Sequence, residues 1–217
     1  MGYAEVLERM AVAAKHAGRS VDDVTLVAVS KTRTVAEVLD VYQLGQRDFG
    51  ENRAQELAEK APRLPDDIRW HFVGALQSNK TRLVRSRTHL LHSMDRRSLA
   101  TSWLKGVGVP PPVLLQVNVG GEVQKSGIDP GDVPEVLGWM LGMGLNVRGL
   151  MAIPPIPKTS EESRLHFRTL VEISESIPAL NDGHHELSMG MTDDYEIAIS
   201  EGASIIRVGR AIFGPRK

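Results

Sequence analysis

The chain has 217 residues, 41% of them hydrophobic, with a formal net charge of -1 and no cysteine. That length supports one large core, while the missing cysteines exclude disulfides and thiolate metal sites, and the charge balance gives no global field for nucleic acid. The charged, amphipathic N-terminus lacks the apolar block of a signal peptide, and no apolar run approaches the ~18 residues of a membrane span, so a cytoplasmic protein without membrane or nucleic-acid partners is expected.

Taken in order, Val6, Leu7, Met10 and Ala14 fall on one side of a predicted helix over Tyr3–Ala17, stopped by Gly18. The next stretch, T-L-V-A-V-S-K, is a β-branched apolar run ending on Lys31, and it reads as a strand buried on both faces. A lysine where such a strand stops is either its solvent end or a partly desolvated amine able to attack carbonyls. Thr34 caps a predicted helix bearing Val35, Val38, Leu39 and Tyr42. A short strand over Arg47–Gly50 then leads into the helix former E-N-R-A-Q-E-L-A-E-K.

The alternation repeats. Strands are predicted over Arg69–Ala75, His89–Ser93, Pro112–Val119, Asn146–Ile153, Glu186–Met189 and Ser204–Val208, with helices between them over Ser78–Arg85, Arg96–Lys105, Val133–Met143, Ser160–Ser176 and Asp193–Glu201. About eight strand–helix units without a linker predict an α/β fold of one domain, residues 1–217: a (β/α)8 TIM barrel with an extra N-terminal helix. An open doubly wound sheet is the other α/β option, disfavoured by the count.

Polar and glycine residues collect where these strands end: Lys31, Gly50, Glu51, Asn52, Gly74, Gln77, Ser78, Asn79, Asn118, the run Ser188 to Thr192 with Gly190 and Met191, and then Arg207 and Gly209. Barrel active sites are built at that rim, and phosphate is often held between the last two loops. Ser188, Gly190, Gly209 and the backbone of Arg210 are candidate phosphate donors; the plain alternative is that the glycines only form tight turns. A phosphate site facing a strand-end lysine suits a phosphorylated aldehyde, and pyridoxal 5′-phosphate (PLP) fits as a Schiff base on Lys31. Arg207 would share the rim orientation and reach the pyridine nitrogen, which stays unprotonated beside a group that only donates.

V-A-V-S-K-T, F-G-E-N-R-A-Q-E, W-H-F-V-G-A-L-Q-S-N-K, K-S-G-I, G-L-M-A-I-P, L-S-M-G-M-T-D-D and R-V-G-R-A-I-F-G together resemble the pyridoxal phosphate homeostasis protein family. The resemblance runs from about Val24 to Gly214 and implies a PLP fold-type III barrel similar to the N-terminal domain of alanine racemase. It implies PLP on Lys31, Asn52 beside the cofactor, Arg207 at the pyridine nitrogen, and Ser188, Gly209 and Arg210 at the phosphate. Many members of the family it resembles carry threonine at the position of Arg210, so phosphate binding there falls to the backbone N–H, to an inward-turned guanidinium, or to both. The implied role is PLP storage and delivery inside the cell, to apo PLP-dependent enzymes, by a chain expected to be a monomer and without established turnover. The alternative is a PLP-dependent amino-acid racemase; that chemistry needs an acid opposite the lysine, and of Tyr3, Tyr42 and Tyr195 only Tyr195 follows a rim loop.

Secondary candidates are fewer. Lys125 in V-Q-K-S-G-I looks like a second rim amine; the segment lacks the glycines of a P-loop. His71 points opposite to Trp70 and Phe72, either lining the barrel near the cofactor or hydrogen-bonded in its core. His184 and His185 have no spaced carboxylate partner for zinc, and Asp193, Asp194 and Glu196 complement a helix start. Met191 reads as packing beside the ligand. Lys80, Arg82, Arg85 and Arg87 read as the wet face of a helix.

Overall fold

A computed structural model describes residues 2–121, 126–178 and 186–215. Eight parallel strands close into a barrel in chain order, β1 (Thr25–Val29), β2 (Asp48–Glu51), β3 (Arg69–Phe72), β4 (Thr88–Met94), β5 (Val113–Val117), β6 (Val147–Ala152), β7 (Glu186–Ser188) and β8 (Ile205–Val208). Helices α1 (Tyr3–His16), α2 (Val35–Gln43), α3 (Ala54–Lys60), α4 (Thr81–Val84), α5 (Arg97–Leu104), α6 (Val133–Gly142), α7 (Ser160–Glu175), α8 (Tyr195–Ser200) and α9 (Arg210–Phe213) surround it. The predicted (β/α)8 barrel with an added first helix is therefore the observed fold.

Strand parity separates two cores. Outward residues such as Leu26, Ala28, Phe49, Trp70, Leu115 and Ile206 pack under the helices, while Val27, Leu90, Leu114, Met151 and Ile205 fill the interior. The first helix is bound to the barrel by Arg19, whose Nη1 donates to the carbonyls of Ile199 (3.0 Å) and Ala203 (2.8 Å) at the end of α8.

Most strands stop short of their predicted ends, because barrel strands need only span the ring before turning into loops. The predicted helix over Ser78–Arg85 is interrupted, running as a 3₁₀ turn (Ser78–Lys80), the single turn of α4, and a second 3₁₀ turn (Arg85–Arg87). Arg85 is not on a wet face. Its guanidinium is buried and donates to the carbonyls of Trp103 (2.6 Å), Val107 (2.5 Å) and Gly108 (2.9 Å), closing the loop after α5. Arg85→Met leaves the buried Trp103 carbonyl without its donor, while those of the exposed Val107 and Gly108 turn to water, and a loss of about 1–3 kcal/mol is expected in urea unfolding, visible as a lower midpoint.

Candidate functional site

Lys31 stands two residues beyond β1, half-buried, in a turn held from every side. The Ser30 backbone N–H donates to the Gly50 carbonyl (2.9 Å), and its buried hydroxyl donates to Glu51 Oε1 (2.7 Å). Lys60, reaching back from the end of α3, donates to the Ser30 carbonyl (2.9 Å) and to Glu51 Oε1 (2.6 Å). Thr32 adopts φ +66°, which costs a non-glycine residue on the order of 1 kcal/mol, and its N–H is satisfied by Glu56 Oε1 at 2.5 Å. A strained residue beside a strand-end lysine marks a position that the surroundings over-determine.

The register carries loop eight to the same place. Val27 pairs with Arg207 and Ala28 with Val208, so Gly209 follows opposite Val29. A Cβ on Gly209 would lie 3.1 Å from the Val29 carbonyl oxygen, so a larger residue would have to push this loop a few tenths of an ångström from the lysine turn. Arg33 Nη2 then donates to the carbonyls of Gly214 (2.5 Å) and Pro215 (2.9 Å), tying the end of α9 to that turn. Loop seven sits alongside: the Arg207 N–H donates to the Gly190 carbonyl (3.0 Å), and Gly209 N–H makes a long bond to Thr192 Oγ1 (3.4 Å). Gly190 has φ +86°, and a Cβ there would fall 2.4 Å from that of Ala198. The Arg210 guanidinium faces outward and pairs with Asp193, so its inward-turned arrangement is not the one adopted.

Arg207 lies beneath this rim, 4% exposed; Nη1 donates to Ser188 Oγ (2.5 Å) and Nη2 to the Ala152 carbonyl (2.9 Å). Burial lowers its pKa to about 10, with the Asp194 carboxylate pulling the other way. Asp194 itself is raised by burial, against the hydrogen bond from the Met191 N–H. The Ser188 hydroxyl is fully buried and engaged by Arg207 and by His92 Nδ1 (2.8 Å), so it faces the barrel interior. Asn52 follows β2 with its Oδ1 buried and lacking a hydrogen-bond partner, against the backbone of Gly74. A cavity of about 240 Å³ opens at the mouth, lined by Val73, Ala75, Gln116, Ser126 and Ile153. A slightly larger cleft, about 270 Å³, lies outside the barrel between the β1–α2 turn and α3, where its walls are already salt-bridged charges, Lys60 and Glu56 among them.

The family-model description "Alanine racemase, N-terminal domain" matches residues 4–217. The pyridoxal phosphate homeostasis protein of Pseudomonas aeruginosa is 44% identical over 218 residues, covering 98% of this chain and 94% of the relative. The protein of the same name from Aquifex aeolicus is 39% identical, covering 98% and 96%. The chain belongs to the pyridoxal phosphate homeostasis protein family. Among solved structures, PipY of Synechococcus elongatus with PLP bound superimposes with a TM-score of 0.79 at 35% identity, covering 96% of this chain and all of that one.

Within this member of the family, Lys31, Asn52, Gly190, Arg207 and Gly209 come together at the C-terminal mouth, and Met191 lies on loop seven with its N–H bonded to Asp194 Oδ1 (2.6 Å). Asn79 stands apart, exposed in a 3₁₀ turn whose Ser78 contacts Ser98 of α5. Lys125, His184 and His185 lie outside the described residues. His71 is 3% exposed and hydrogen-bonded inside the barrel, to His92 Nε2 (2.8 Å) and Asp48 Oδ1 (3.0 Å), the second of its two expected settings. His92, Asp48 and Lys60 were not legible as site residues; Glu51 was legible only as one of the polar residues at the strand ends. The parity argument that turned His71 inward would also have found His92, two residues after the interior Leu90.

Asp48 feels burial, which raises its pKa, but the hydrogen bonds from Arg69 and His71 outweigh it and bring the carboxyl down from 3.8 to about 2. A carboxyl depressed in the fold stabilises above its unfolded pKa, and that contribution, about 2 kcal/mol, disappears as pH falls from about 4 towards 2. The gap in unfolding free energy between the parent and Asp48→Asn is therefore expected to narrow across that window, as read by urea melts at stepped pH.

Proposed function

We propose that this chain binds PLP at the barrel mouth, covalently through Lys31, and stores it for delivery to apo PLP-dependent enzymes. The observation that carries this reading is the buried Arg207 beneath a rim on which Gly209 abuts the lysine turn. The residues fit the group. The first N–H groups of α9 have no partner within the helix and, with the tight loop at Gly190, suit an anion. The orphaned Asn52 Oδ1 needs a donor. Arg207 uses two of its five N–H groups on Ser188 and Ala152, keeping others for a ring nitrogen.

PLP bound there supplies an aldehyde electrophile and an aromatic ring whose electron demand depends on protonation of its nitrogen. Arg207 can only donate, so it holds that nitrogen unprotonated and the ring a weak electron sink, which favours carriage over carbanion chemistry. The racemase alternative also needs an acid facing the lysine. Tyr3 donates to Gln46 Oε1, Tyr42 donates to Asp67, and Tyr195 is buried beneath Arg9 of α1, with its ring 5.9 Å from the guanidinium. The hydroxyls of Tyr3 and Tyr42 are thus engaged, while that of Tyr195 is buried without a hydrogen-bond partner.

The same proposal places the chain in the cytoplasm as a monomer. No helix among the described residues is long and apolar enough to cross a membrane. To test delivery against turnover, the PLP-loaded chain is incubated with an apo PLP enzyme, and separately with L-amino acids in deuterated water. Recovery of the acceptor's activity without deuterium at the α-carbon is expected; steady deuterium incorporation would favour the racemase.

A further inference from the structure

A file of hydrogen bonds leads from the cofactor side of the barrel to its opposite face. Arg207 Nη1 lies 2.5 Å from Ser188 Oγ, which is 2.8 Å from His92 Nδ1; His92 Nε2 is 2.8 Å from His71 Nδ1, and His71 Nε2 is 3.0 Å from Asp48 Oδ1. Asp48 is held in turn by Arg69, Nε to Oδ1 at 2.7 Å and Nη2 to Oδ2 at 2.5 Å. Each of the five side chains in the file comes from a different strand and is buried, Ser188 and His92 with no exposure at all. Nothing in the proposed carriage of PLP requires His92, His71 or Asp48.

Chemistry fixes the direction of each bond. An arginine only donates and an ionised carboxylate only accepts. Asp48 is ionised at neutral pH, so His71 Nε2 carries a hydrogen. A neutral His71 then presents a bare Nδ1, which requires the hydrogen of His92 on Nε2. His92 in turn presents a bare Nδ1, so the Ser188 hydroxyl donates into the barrel and turns its lone pairs to Arg207. One proton added to His71 reverses the middle of the file. His71 Nδ1–H then donates to His92 Nε2, His92 passes to the Nδ1–H tautomer, and Ser188 Oγ accepts from both His92 and Arg207. The hydroxyl hydrogen must leave the barrel axis for another acceptor. The proton count balances: the two rings together gain one proton, and none is lost elsewhere.

We propose that His71 and His92 are positioning residues that orient the Ser188 hydroxyl under Arg207, and that protonation of His71 near the far face reverses this orientation. Asp48 of β2 and His89 and His92 of β4 lie against His71; Arg69 of β3 holds Asp48, Arg148 of β6 with its partner Glu186 of β7 acts on His89, and Arg207 of β8 acts on His92. Burial, followed by the charges of His71 and Arg207, drives the His92 pKa well below its ordinary value, so His92 resists taking a second proton of its own. The consequence for bound PLP, a pyridine nitrogen partner that shifts with pH, rests on the function proposed above; the relay itself does not.

The test uses the unloaded parent chain labelled with ¹⁵N-histidine, so its outcome is independent of PLP. Long-range ¹H–¹⁵N spectra between pH 8 and pH 5 report the tautomer of each ring. Both rings are expected as Nε2–H at pH 8, with His92 passing to neutral Nδ1–H at the same midpoint at which His71 becomes imidazolium. A His92 that keeps one tautomer while His71 titrates, a His92 that begins as Nδ1–H, or a His71 that stays neutral throughout overturns the proposal. With the relay so established, the PLP-loaded parent should show a visible-band shift with that midpoint, absent in His71→Gln; a loaded chain without the shift would contradict the link to the cofactor.

Discussion

Replacement of Lys31 by alanine is expected to leave the fold intact while abolishing covalent retention of PLP. Bonds from neighbouring residues shape the turn: the Ser30 N–H and hydroxyl, the Thr32 N–H on Glu56, the Arg33 N–H donating to the Ser30 carbonyl (3.0 Å), and Lys60 on that same carbonyl. Those bonds are all kept in the variant, and substitution at a half-buried position of this kind should change stability by about 1 kcal/mol at most. Phosphate and ring contacts remain in the variant, so PLP should still associate, but reversibly. The measurement is borohydride treatment of loaded protein, followed by dialysis and mass spectrometry. The parent is expected to keep one PLP adduct on the peptide containing Lys31, and the variant none. An adduct of equal yield elsewhere in the variant would move the attachment point, with Lys125 as the next amine to examine.

The architecture was legible because alternation of short β-branched runs with helical spacing survives even where strands are buried on both sides. Lys31 and Gly209 were legible for a related reason, since a polar residue or glycine after such a run lands on the rim, and Arg207, two residues before Gly209 within β8, shares its inward orientation. What stayed hidden is what the barrel encloses. In T-H-L-L-H-S-M the interior residues Leu90 and His92 are flanked by the outward Leu91, so polarity does not alternate and His92 looks like a surface histidine. Asp48 at a strand start reads as a solvated carboxylate until Arg69 and His71 are seen on its two oxygens. Arg85 and Lys60 escaped because long side chains return their charge to distant carbonyls, which no local periodicity records. Which of the arrangements left open for Arg210 is adopted was hidden for the same reason, the guanidinium's partner being Asp193 on the neighbouring loop.

Lys60 gives the largest expected change in stability. Its amine is 6% exposed and lies 2.6 Å from Glu51 Oε1, while Glu51 has no exposure and its Oε2 has no hydrogen-bond partner. Burial raises the Glu51 pKa even with Lys60 beside it. Lys60→Met therefore strands a buried carboxylate and removes one bond to the Ser30 carbonyl, a combination expected to destabilise the fold by about 3–5 kcal/mol. Neutralising the survivor should recover most of that loss, so Lys60→Met with Glu51→Gln is expected to melt well above the single variant. The sign of the pH effect follows from the raised carboxyl: the folded state prefers Glu51 protonated, so stability is kept at low pH and lost as pH rises through the unfolded and then the folded pKa. The deficit of Lys60→Met relative to the parent should thus be smaller near pH 5 than near pH 8. Because the same amine holds the Ser30 carbonyl, the single variant should also load PLP more slowly at temperatures where it remains folded. A Lys60→Met protein with parental stability at pH 8 would mean that Glu51 is already neutral in the parent, and that the pair orders the lysine turn by shape and neutral hydrogen bonds instead of charge.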